Sequence, residues 1–389
     1  MRRALPIAAF WFLYFGGLGI FFPFYTLYLR ENAGLSGTQV GVVLAMMPLV
    51  GIVAQPVWGH LADRTGARSA ILTLLTVATA LAYLVLGRLE HFPALVAGTA
   101  ALAVFGTAIG PLSMSIAFAA VRGAGPHAFG LLRVWGTVGY LITVAGYPWL
   151  LHRLAPPTAD GAEPGLASLF PATAGLFLLA ALIGPLLPRS GAAALRASPG
   201  QWRELLPRPA VRRLLLFTFA AFVCLQGPIG LFPLFIRARG GDLATVGNMW
   251  VVMILLEIPL VALAGTGLRR LGARGLMAAG LIAGGVRWTV CALTGDLAVL
   301  YVMQLLHGVT VAGLLLGGPL YLEAVVPPAL RSTAQALLAT AGMAIGSIVS
   351  NTATGWLMQH VGPDAPFLLG GLAALVLGAC TFWILPSTD

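Results

Sequence analysis

The sequence contains no lysine, so all 22 of its basic residues are arginines. Without lysine the chain has neither the lysine of a nucleotide-binding P-loop nor a Schiff-base lysine. The metalloprotease pattern H-E-x-x-H and the hydrolase pattern G-x-S-x-G are missing as well. These absences argue against an ATP-driven protein and against a hydrolase. We therefore expect no enzymatic activity and no cofactor, and any work must draw on a proton gradient.

Charge and cysteine are also scarce. Charged residues make up 9% of the chain, against about 25% in a soluble domain. Because 59% of the residues are hydrophobic, lipid rather than water is the expected surrounding. Three cysteines, Cys224, Cys291 and Cys380, lie inside apolar runs without the spacing of a disulfide framework or a metal site. The net charge of +10 does not sit on a water-soluble fold, so we expect no nucleic-acid partner.

What the sequence does contain is a series of apolar segments long enough to cross a bilayer. They predict an all-α membrane protein of twelve transmembrane helices, called here span one to span twelve, at 5–29, 38–60, 69–88, 92–121, 128–151, 168–187, 211–236, 243–267, 275–294, 296–325, 331–357 and 365–386. The first run is about twice as long as a signal-peptide core, so we expect it to remain as a helix. A polar stretch at 188–210 predicts a central cytoplasmic loop between two halves, 1–187 and 211–389.

The arginines predict the orientation of these spans. With the N-terminus inside, fifteen arginines fall in cytoplasmic segments, five in outer loops, and two, Arg133 and Arg287, within spans. This bias predicts a multi-pass protein of a bacterial inner (plasma) membrane with both termini in the cytoplasm. Its expected partners are the lipid bilayer, a small-molecule solute and protons, and we expect a monomer.

The two halves repeat each other in sequence. "TQVGVVLAMM" at 38–47 aligns with "ATVGNMWVVM" at 244–253, and "GHLADRTGAR" at 59–68 aligns with "GTGLRRLGAR" at 265–274 at the same offset of 206 residues. Parallel six-helix repeats place a solute site near the bilayer midplane, where the halves meet. The repeat therefore favours a transporter over an enzyme or a receptor.

The loop "GHLADRTGARS" at 59–69 resembles the loop signature of the major facilitator superfamily, in which glycines flank an acidic and a basic residue. Gly59 and Gly66 are expected to permit a tight turn and close helix approach. The same resemblance implies two pseudo-symmetric six-helix bundles that transport solutes by alternating access. A charged loop that merely sets the topology is the alternative interpretation.

Charged residues of this loop are candidates for gating. Asp63 is expected to pair with arginines and with helix N-termini of the neighbouring bundle, while Arg64 and Arg68 supply the basic part of the signature. A pair formed in one conformation only would bias the alternating-access equilibrium. Arg331, at the start of span eleven, is interpreted as a gate or packing residue, and Glu323 is a candidate partner for it.

A closer resemblance is to the group formed by lactose permease, 3-phenylpropionate permease and nucleoside–proton symporters. It covers essentially the whole chain and is carried by "YFGGLGIFFPFYTLYL", "RVWGTVGY", "VRWTV" and "QLLHGVT". In that group, acidic, arginine and histidine residues matching Glu257, Arg287 and His307 contribute to sugar binding and proton coupling. The resemblance also implies Gln304 as a solute-binding residue.

The residues themselves support such a cluster. At 1.5 Å per residue, Glu257, Arg287 and His307 lie about 21, 18 and 16 Å along their spans, which is the middle of the membrane. Charges there are expensive and face the interior of a bundle. Arg287 is then expected to set the proton affinity of Glu257. Two alternatives stay open. Glu257 and Arg287 could form a permanent ion pair that only fixes helix packing, and His307 could be a packing residue whose hydrogen bonds are all satisfied within the protein.

The chain departs from the lactose permease pattern at two places. Thr310 occupies a position where that permease has a further carboxylate, and span four has no acidic residue where the group carries one, but "SMS" at 113–115. Arg133 in span five is therefore expected to need Glu257, water or an anionic solute nearby. The alternative is that Arg133 faces a wet cytoplasmic vestibule.

Aromatic residues suggest what is carried. Tyr140 follows Arg133 by seven residues on nearly the same helical face, and Trp250 precedes Glu257 by seven. Arginine with aromatic walls suits a flat solute that bears a carboxylate or hydroxyls. We expect a proton-coupled symporter that imports an aromatic or carboxylated metabolite, a nucleoside or a sugar. The alternatives are a proton-coupled antiporter exporting drugs or metabolites, and a non-transporting membrane sensor that kept the fold.

Overall fold

A computed structural model of the chain describes residues 5–121, 128–158, 163–188, 200 and 202–387, leaving out the side chains of 258 and 261–269. Within these ranges the regular structure is entirely helical. Among the described residues, ten helices are long and apolar enough to cross a membrane, and two shorter apolar helices accompany them. The predicted all-α membrane fold of twelve spans is confirmed.

Most of the observed bounds lie within a few residues of the predicted ones. Spans one to six are Leu5–Glu31, Gly37–Thr65, Arg68–Leu86, Phe92–Ala120, Ala128–Leu154 and Pro164–Leu186. Spans seven to twelve are Pro209–Gly230, the two parts of the helical run Leu243–Leu293 on either side of Gly272, Leu297–Val325, Pro328–His360 and Ala365–Ala379. Span twelve, predicted to reach residue 386, ends at Ala379. Span seven also ends early, since it was predicted to reach residue 236. It ends at Gly230, just after an internal proline, and a short helix, Phe232–Arg237, follows.

The chain separates into two compact units. The first contains Met1–Ala194 with Val246–Asn248, and the second contains Leu195–Thr245 with Met249–Asp389. The main division at Ala194 and Leu195 falls within the polar stretch that separates spans six and seven.

Glycines allow the helices of each unit to cross closely. In the first unit a Cβ on Gly139 of span five would collide with the main chain of Phe12 in span one. In the second unit a Cβ on Gly280 of span nine would lie 2.8 Å from the Cα of Gly313 in span ten. Small residues that let backbones approach are the usual packing device of membrane helices. The crossing of spans nine and ten fixes the positions of the polar residues described below.

The internal repeat is visible in the backbone. Ser36 and Asp242, 206 residues apart, both cap the N-terminus of the helix that follows with their side-chain oxygens. Gly66 (φ 68°) and Gly272 (φ 66°), again 206 residues apart, both adopt a positive φ that favours glycine. The predicted connection at 268–274 is in fact shorter: the helix Leu243–Leu293 departs from helical geometry at Gly272, which forms the joint between spans eight and nine.

Candidate solute and proton site

Arg287 is the centre of a buried polar cluster in the second unit. Its side chain is 1% exposed, and Gln304 and His307 beside it are 0% and 8% exposed. The guanidinium donates to Gln304 Oε1 through Nε at 2.9 Å and through Nη2 at 2.6 Å. Two parallel N–H donors on one acceptor hold the planar group in a fixed orientation. The cluster joins the middle of span nine to span ten.

Gln304 is fixed by contacts at both ends of its amide. While its oxygen accepts from Arg287, its Nε2 donates to the main-chain carbonyl of Leu300 at 2.7 Å and lies 3.8 Å from the Cys291 sulfur. These contacts define which end of the amide is oxygen, because arginine can only donate. Gln304 therefore acts as an acceptor for Arg287, and the prediction that it binds solute stays untested.

His307 lies between Arg287 and Glu257. Its Nδ1 is 3.0 Å from Arg287 Nη1, and its Nε2 is 3.8 Å from Glu257 Oε2, which is longer than a hydrogen bond. A guanidinium has no acceptor, so Nδ1 must accept and neutral His307 must carry its proton on Nε2. The imidazole N–H is thereby directed at the carboxylate of Glu257.

The structure brings together Glu257, Arg287, Gln304 and His307, as the predicted midplane cluster requires. It differs from prediction in how they connect. Among the described residues the hydrogen-bond partners of the Arg287 guanidinium are Gln304, His307 and the sulfur of Met253, none of which is a carboxylate. Arg287 reaches Glu257 through His307, rather than as the direct ion pair weighed from the sequence. The reason is that His307, one helix away, projects into the space between the two longer side chains.

Met253 is a member of the site that the sequence analysis missed. Its sulfur lies 3.2 Å from Arg287 Nη2, and its side chain is fully buried. It precedes Glu257 by four residues on span eight, so both side chains lie on one helical face. The four-residue spacing from Glu257 could have identified Met253 as a site residue. It was missed because methionine is apolar and only polar residues were considered.

A cavity opens beside the cluster within the second unit. Its walls come from spans seven, nine and ten, and they include Phe222, Gln226, Trp288 and Thr310 together with Arg287 and His307. The Arg287 guanidinium also lies 3.9 Å from the centre of the Trp288 ring. Aromatic surface with a few convergent polar groups is the usual composition of a small-molecule site. Phe222 and Gln226 were not identified from the sequence, because their apolar surroundings on span seven gave no signal.

In the first unit, Arg133 stacks on an aromatic ring. Its guanidinium carbon lies 4.2 Å from the centre of the Phe15 ring, a cation–π contact between spans five and one. Tyr14 packs edge-on against Phe15 with ring centres 4.9 Å apart. Arg133 and Tyr140 are half-buried, whereas Trp250 of span eight is buried. The solute-binding roles of these three residues remain predictions.

In span four, which lacks the acidic residue of the lactose permease group, Ser113 serves as a neutral hydrogen-bond acceptor. It is buried and accepts a hydrogen bond from the indole Nε1 of Trp11 at 3.1 Å, while its own hydroxyl donates to the Gly110 carbonyl. A carboxylate at this position would add a charge beside the indole of span one. The serine instead supplies a neutral acceptor for a buried donor, which would otherwise be left unsatisfied.

The candidate gating loop is held together from within. Arg68 is almost fully buried and donates to Asp63 Oδ1 through Nη2 at 2.6 Å and Nε at 3.2 Å. Asp63 was predicted to pair with arginines, and this partner belongs to its own loop. Gly66 makes the turn, with φ 68° and ψ 0° at the end of span two, and Arg64 is exposed.

At two candidate gating residues the local geometry differs from expectation, while their gating role stays a prediction. Gly59 makes neither the turn nor a close helix contact, since it lies inside span two with open space where a Cβ would be, as far as the described residues show. In the part of the chain that the structure describes, Arg331 contacts the main chain of Glu323 and not its carboxylate. Its Nη2 donates to the main-chain carbonyl of Glu323 at 2.9 Å, because that carbonyl is near the end of span ten and still needs a donor.

Comparison with known proteins agrees with this fold. Residues 5–369 match the model of the MFS_1 like family. The chain is 28% identical over 375 residues to the maltose permease of Geobacillus stearothermophilus, covering 96% of this chain and 92% of the permease. It is also 28% identical over 318 residues to a probable 3-phenylpropionic acid transporter of Escherichia coli (strain K12), covering 76% of each.

The fold is found in a solved structure as well. The crystal structure of the nucleoside transporter NupG superposes with a TM-score of 0.86 at 15% sequence identity, covering 100% of both chains. At this identity the likeness establishes the fold, and the family match extends over nearly the whole chain. The protein therefore belongs to the MFS_1 like family of the major facilitator superfamily, and it is a multi-pass membrane transporter.

Proposed function

We propose that the protein is a proton-coupled symporter that imports a small organic solute by alternating access. The observation that supports this proposal is His307, whose two ring nitrogens face Arg287 and Glu257. A titratable carboxylate beside an oriented imidazole N–H, next to a cavity, is an arrangement that can exchange a proton with solute binding. Packing alone does not require an ionisable group at each of these positions.

Glu257 is the proposed proton carrier. A second proton on His307 would have to go on Nδ1, where it would face the guanidinium of Arg287 at 3.0 Å. Glu257 is about one-third exposed, so a proton can reach it without breaking the buried contacts of Arg287. The Nε2–H of His307 then stabilises the carboxylate after the proton leaves.

The proposed solute has hydroxyls or a carboxylate on a flat apolar framework. In the cavity, Phe222 and Trp288 offer apolar surface, while Gln226, Thr310 and His307 offer polar groups. Arg287 directs most of its donors to protein side chains, so it organises the site rather than serving as the main anion receptor. A maltose permease and a probable 3-phenylpropionic acid transporter among the relatives keep both a sugar and an aromatic acid as candidates.

The setting of this activity is proposed from the arginine distribution. We place the protein in a bacterial inner membrane as a monomer, with both termini in the cytoplasm and no cofactor, driven by the proton gradient. The excess of arginine in the segments that would then be cytoplasmic supports this orientation.

Reconstituted vesicles can test the proposal. Purified protein is first screened by thermal shift against maltose, 3-phenylpropionate and common nucleosides, and each stabilising compound is added to proteoliposomes with a pH electrode outside. Symport predicts that the external medium becomes alkaline as the solute moves inward down its gradient. The Glu257→Gln variant should lose this proton movement but keep exchange of labelled solute for unlabelled solute.

Other outcomes decide against symport. External acidification on solute entry would indicate the antiporter, which exports solutes in exchange for protons. Proton movement that persists unchanged in Glu257→Gln would remove Glu257 as the carrier. Absence of movement for any stabilising compound, in protein that remains folded, would favour a sensor that kept the fold.

A further inference from the structure

Arg239 ties the ends of two spans of the second unit together. It lies in the connection between spans seven and eight, at the end of the unit that faces outward in the proposed orientation. Its Nε donates to the Thr294 carbonyl at 3.0 Å and its Nη2 to the Cys291 carbonyl at 3.3 Å, both at the C-terminus of span nine. Nη2 also donates to Asp364 Oδ1 at 2.6 Å, where span twelve begins. One guanidinium thereby joins span nine to span twelve.

The charges of this contact lie at the helix ends that favour them. The C-terminus of a helix carries a partial negative charge and the N-terminus a partial positive charge. Arg239 meets the carbonyls that end span nine, and Asp364 is the N-cap of span twelve. The Asp364 side chain is 52% exposed, so solvent screens the ion pair. The bonds of Arg239 to the two carbonyls are therefore the better protected part of the contact.

A stack of aromatic rings continues inward from Arg239. Its guanidinium carbon lies 3.6 Å from the centre of the Phe235 ring. The Phe235 ring is 3.9 Å from that of Phe367 in span twelve, and Phe367 meets the Trp288 ring at 5.3 Å in a T-shaped pair. Trp288 in turn lies 3.9 Å from the guanidinium carbon of Arg287. A continuous series of contacts thus connects the outward-facing end of the unit with the buried polar cluster.

The rings of this stack have little room to move. Phe235 and Phe367 are 0% exposed, and Trp288 is 1% exposed. A fourth buried ring, Phe232, packs against Trp288 with ring centres 5.4 Å apart. Close-packed interiors have few voids and transmit a displacement from one side chain to the next. A shift of Phe235 is therefore expected to reach Trp288.

Trp288 is the ring through which the stack reaches the cavity. It lines the cavity together with Arg287 and His307. It also belongs to span nine, whose last carbonyls bond to Arg239. Arg239 consequently acts on Trp288 by two routes, through the rings and through the backbone of the helix that carries it. Binding sites depend on such supporting contacts, because a loosely held side chain binds its ligand less well.

The first unit has an arginine on an aromatic ring at its own outward-facing end. The Arg153 guanidinium carbon lies 4.2 Å from the Trp149 ring at the end of span five. Trp149 is 59% exposed and Arg153 is exposed as well, so this contact faces the surroundings instead of a buried stack. Arg153 therefore offers a matched control that has the same charge and the same kind of contact.

We propose that Arg239 is a positioning residue of the solute site, which holds Trp288 against Arg287 and thereby sets how tightly the cavity binds its solute. The inference rests on the proposed function in taking this cavity as the solute site. Arg239 acts at a distance in this proposal, through Phe235, Phe367 and the end of span nine.

Fluorine NMR of the full-length protein in lipid nanodiscs tests the positioning. Tryptophan is replaced by 5-fluorotryptophan, and the Trp288 resonance is assigned by its loss in Trp288→Phe. Arg239→Gln should shift and broaden this resonance, because the ring is no longer held in one place. Asp364→Asn keeps the bonds of Arg239 to the carbonyls, so it should shift the same resonance by less.

The control and the contrary result are equally direct. Arg153→Gln should move the Trp149 resonance and leave that of Trp288 in place. A Trp288 resonance that stays unchanged in Arg239→Gln would overturn the proposal. If Arg239→Gln does not fold, the milder Asp364→Asn decides by the same criterion.

Binding and transport measurements test the effect on the site, with 3-phenylpropionate and maltose as probes. In Arg239→Gln the dissociation constant should rise about fivefold, which is roughly the worth of one aromatic contact. KM should rise with it, while the maximum rate of uptake stays within about twofold. Arg239→Lys keeps a cation over the Phe235 ring and should recover part of the affinity.

The pattern of change separates positioning from a loss of folded protein. A lower maximum rate with unchanged KM and dissociation constant in Arg239→Gln would overturn the proposal, since only the amount of active protein would have changed. Failure of both probes to bind the unmodified protein would count against the proposed solute class. The Trp288 resonance would then still decide the role of Arg239.

Discussion

His307 turns its Nδ1 toward the Arg287 guanidinium at 3.0 Å and its Nε2 toward Glu257 at 3.8 Å. Since arginine can only donate, this relationship specifies the tautomer of the histidine. The sequence left open whether Glu257 or His307 carries the proton. In the structure the nitrogen of His307 that would take a second proton already accepts a hydrogen bond from Arg287, so Glu257 is the proposed carrier. The first prediction follows from this proposal.

His307→Asn should preserve proton coupling. The asparagine oxygen can take the place of Nδ1 as the acceptor for Arg287, yet the side chain cannot bind a proton at neutral pH. If Glu257 carries the proton, solute accumulation driven by an inward proton gradient should persist in His307→Asn and vanish in Glu257→Gln. Uptake of the stabilising compound into proteoliposomes at two external pH values measures both. Loss of coupling in folded His307→Asn would make His307 the carrier.

Arg287→Lys should weaken the fold although the charge is kept. Lysine lacks the planar fork, so it cannot hold Gln304 Oε1 with two donors while also reaching His307. Because buried bonds to a charged group are lost, the free energy of unfolding should fall by about 2–3 kcal/mol. Thermal unfolding in detergent reports the change. The control is Arg274→Lys, whose guanidinium makes one 3.2 Å bond to the Leu385 carbonyl and should lose well under half as much.

Gly66→Ala and Gly272→Ala should each destabilise the protein, since both glycines have positive φ. Gly66 is in the left-handed helical region, where alanine costs roughly 1–2 kcal/mol. Gly272, with ψ 174°, is in a region almost exclusive to glycine and should lose roughly 1–3 kcal/mol. Gly59→Ala serves as the internal control and should be neutral or stabilising by up to about 1 kcal/mol, because it lies inside a helix. A loss in Gly59→Ala equal to that in Gly66→Ala would contradict this assignment.

Ser113→Ala should destabilise the first unit. The Trp11 indole N–H would lose its acceptor in a buried environment, at a cost of about 1–3 kcal/mol. Ser115→Ala, two residues along the same span and only half-buried, should stay within about 0.5 kcal/mol of the unmodified protein. Intrinsic tryptophan fluorescence during unfolding can follow both variants.

Asp63→Asn should have a moderate effect on stability. It removes the charge that balances the buried Arg68, but Asp63 itself is 34% exposed, so solvent screens the pair. We expect the free energy of unfolding to fall by about 1 kcal/mol, and this difference between the variant and the unmodified protein should shrink at high salt. Arg64→Gln, in the same loop but exposed, should be neutral. Equal losses in both variants, measured by thermal unfolding at low and high salt, would mean that the Asp63–Arg68 pair has no special role.

Much of the fold could be predicted because it depends on patterns along the chain. Apolar length defined the spans, and a constant offset of 206 residues anticipated the paired joints at Gly66 and Gly272. The common depth of Glu257, Arg287 and His307 also followed, since rise per residue is nearly constant in a helix. Each of these properties is local or periodic, and each can be read without knowing how a helix is rotated about its axis.

The contacts within the site could not be predicted in the same way. Whether Arg287 meets Glu257 or His307 depends on helix rotation and on several side-chain torsions, which no spacing rule specifies. Ser113 shows the same limit, because the missing acid was evident in the sequence but the Trp11 indole that needs an acceptor there was not. Gly59 shows the opposite error, in which a motif position was given a role that a neighbouring glycine performs.

The paired joints at Gly66 and Gly272 also bear on descent. The sequence has Asp63 before the first joint and Arg269 at the matching place before the second, so the side-chain chemistry differs while the backbone torsion is shared. Two copies of one ancestral six-helix segment, joined by gene duplication, would give this result. After duplication the torsion needed to turn the chain stayed in both copies, while the charges around it were free to diverge.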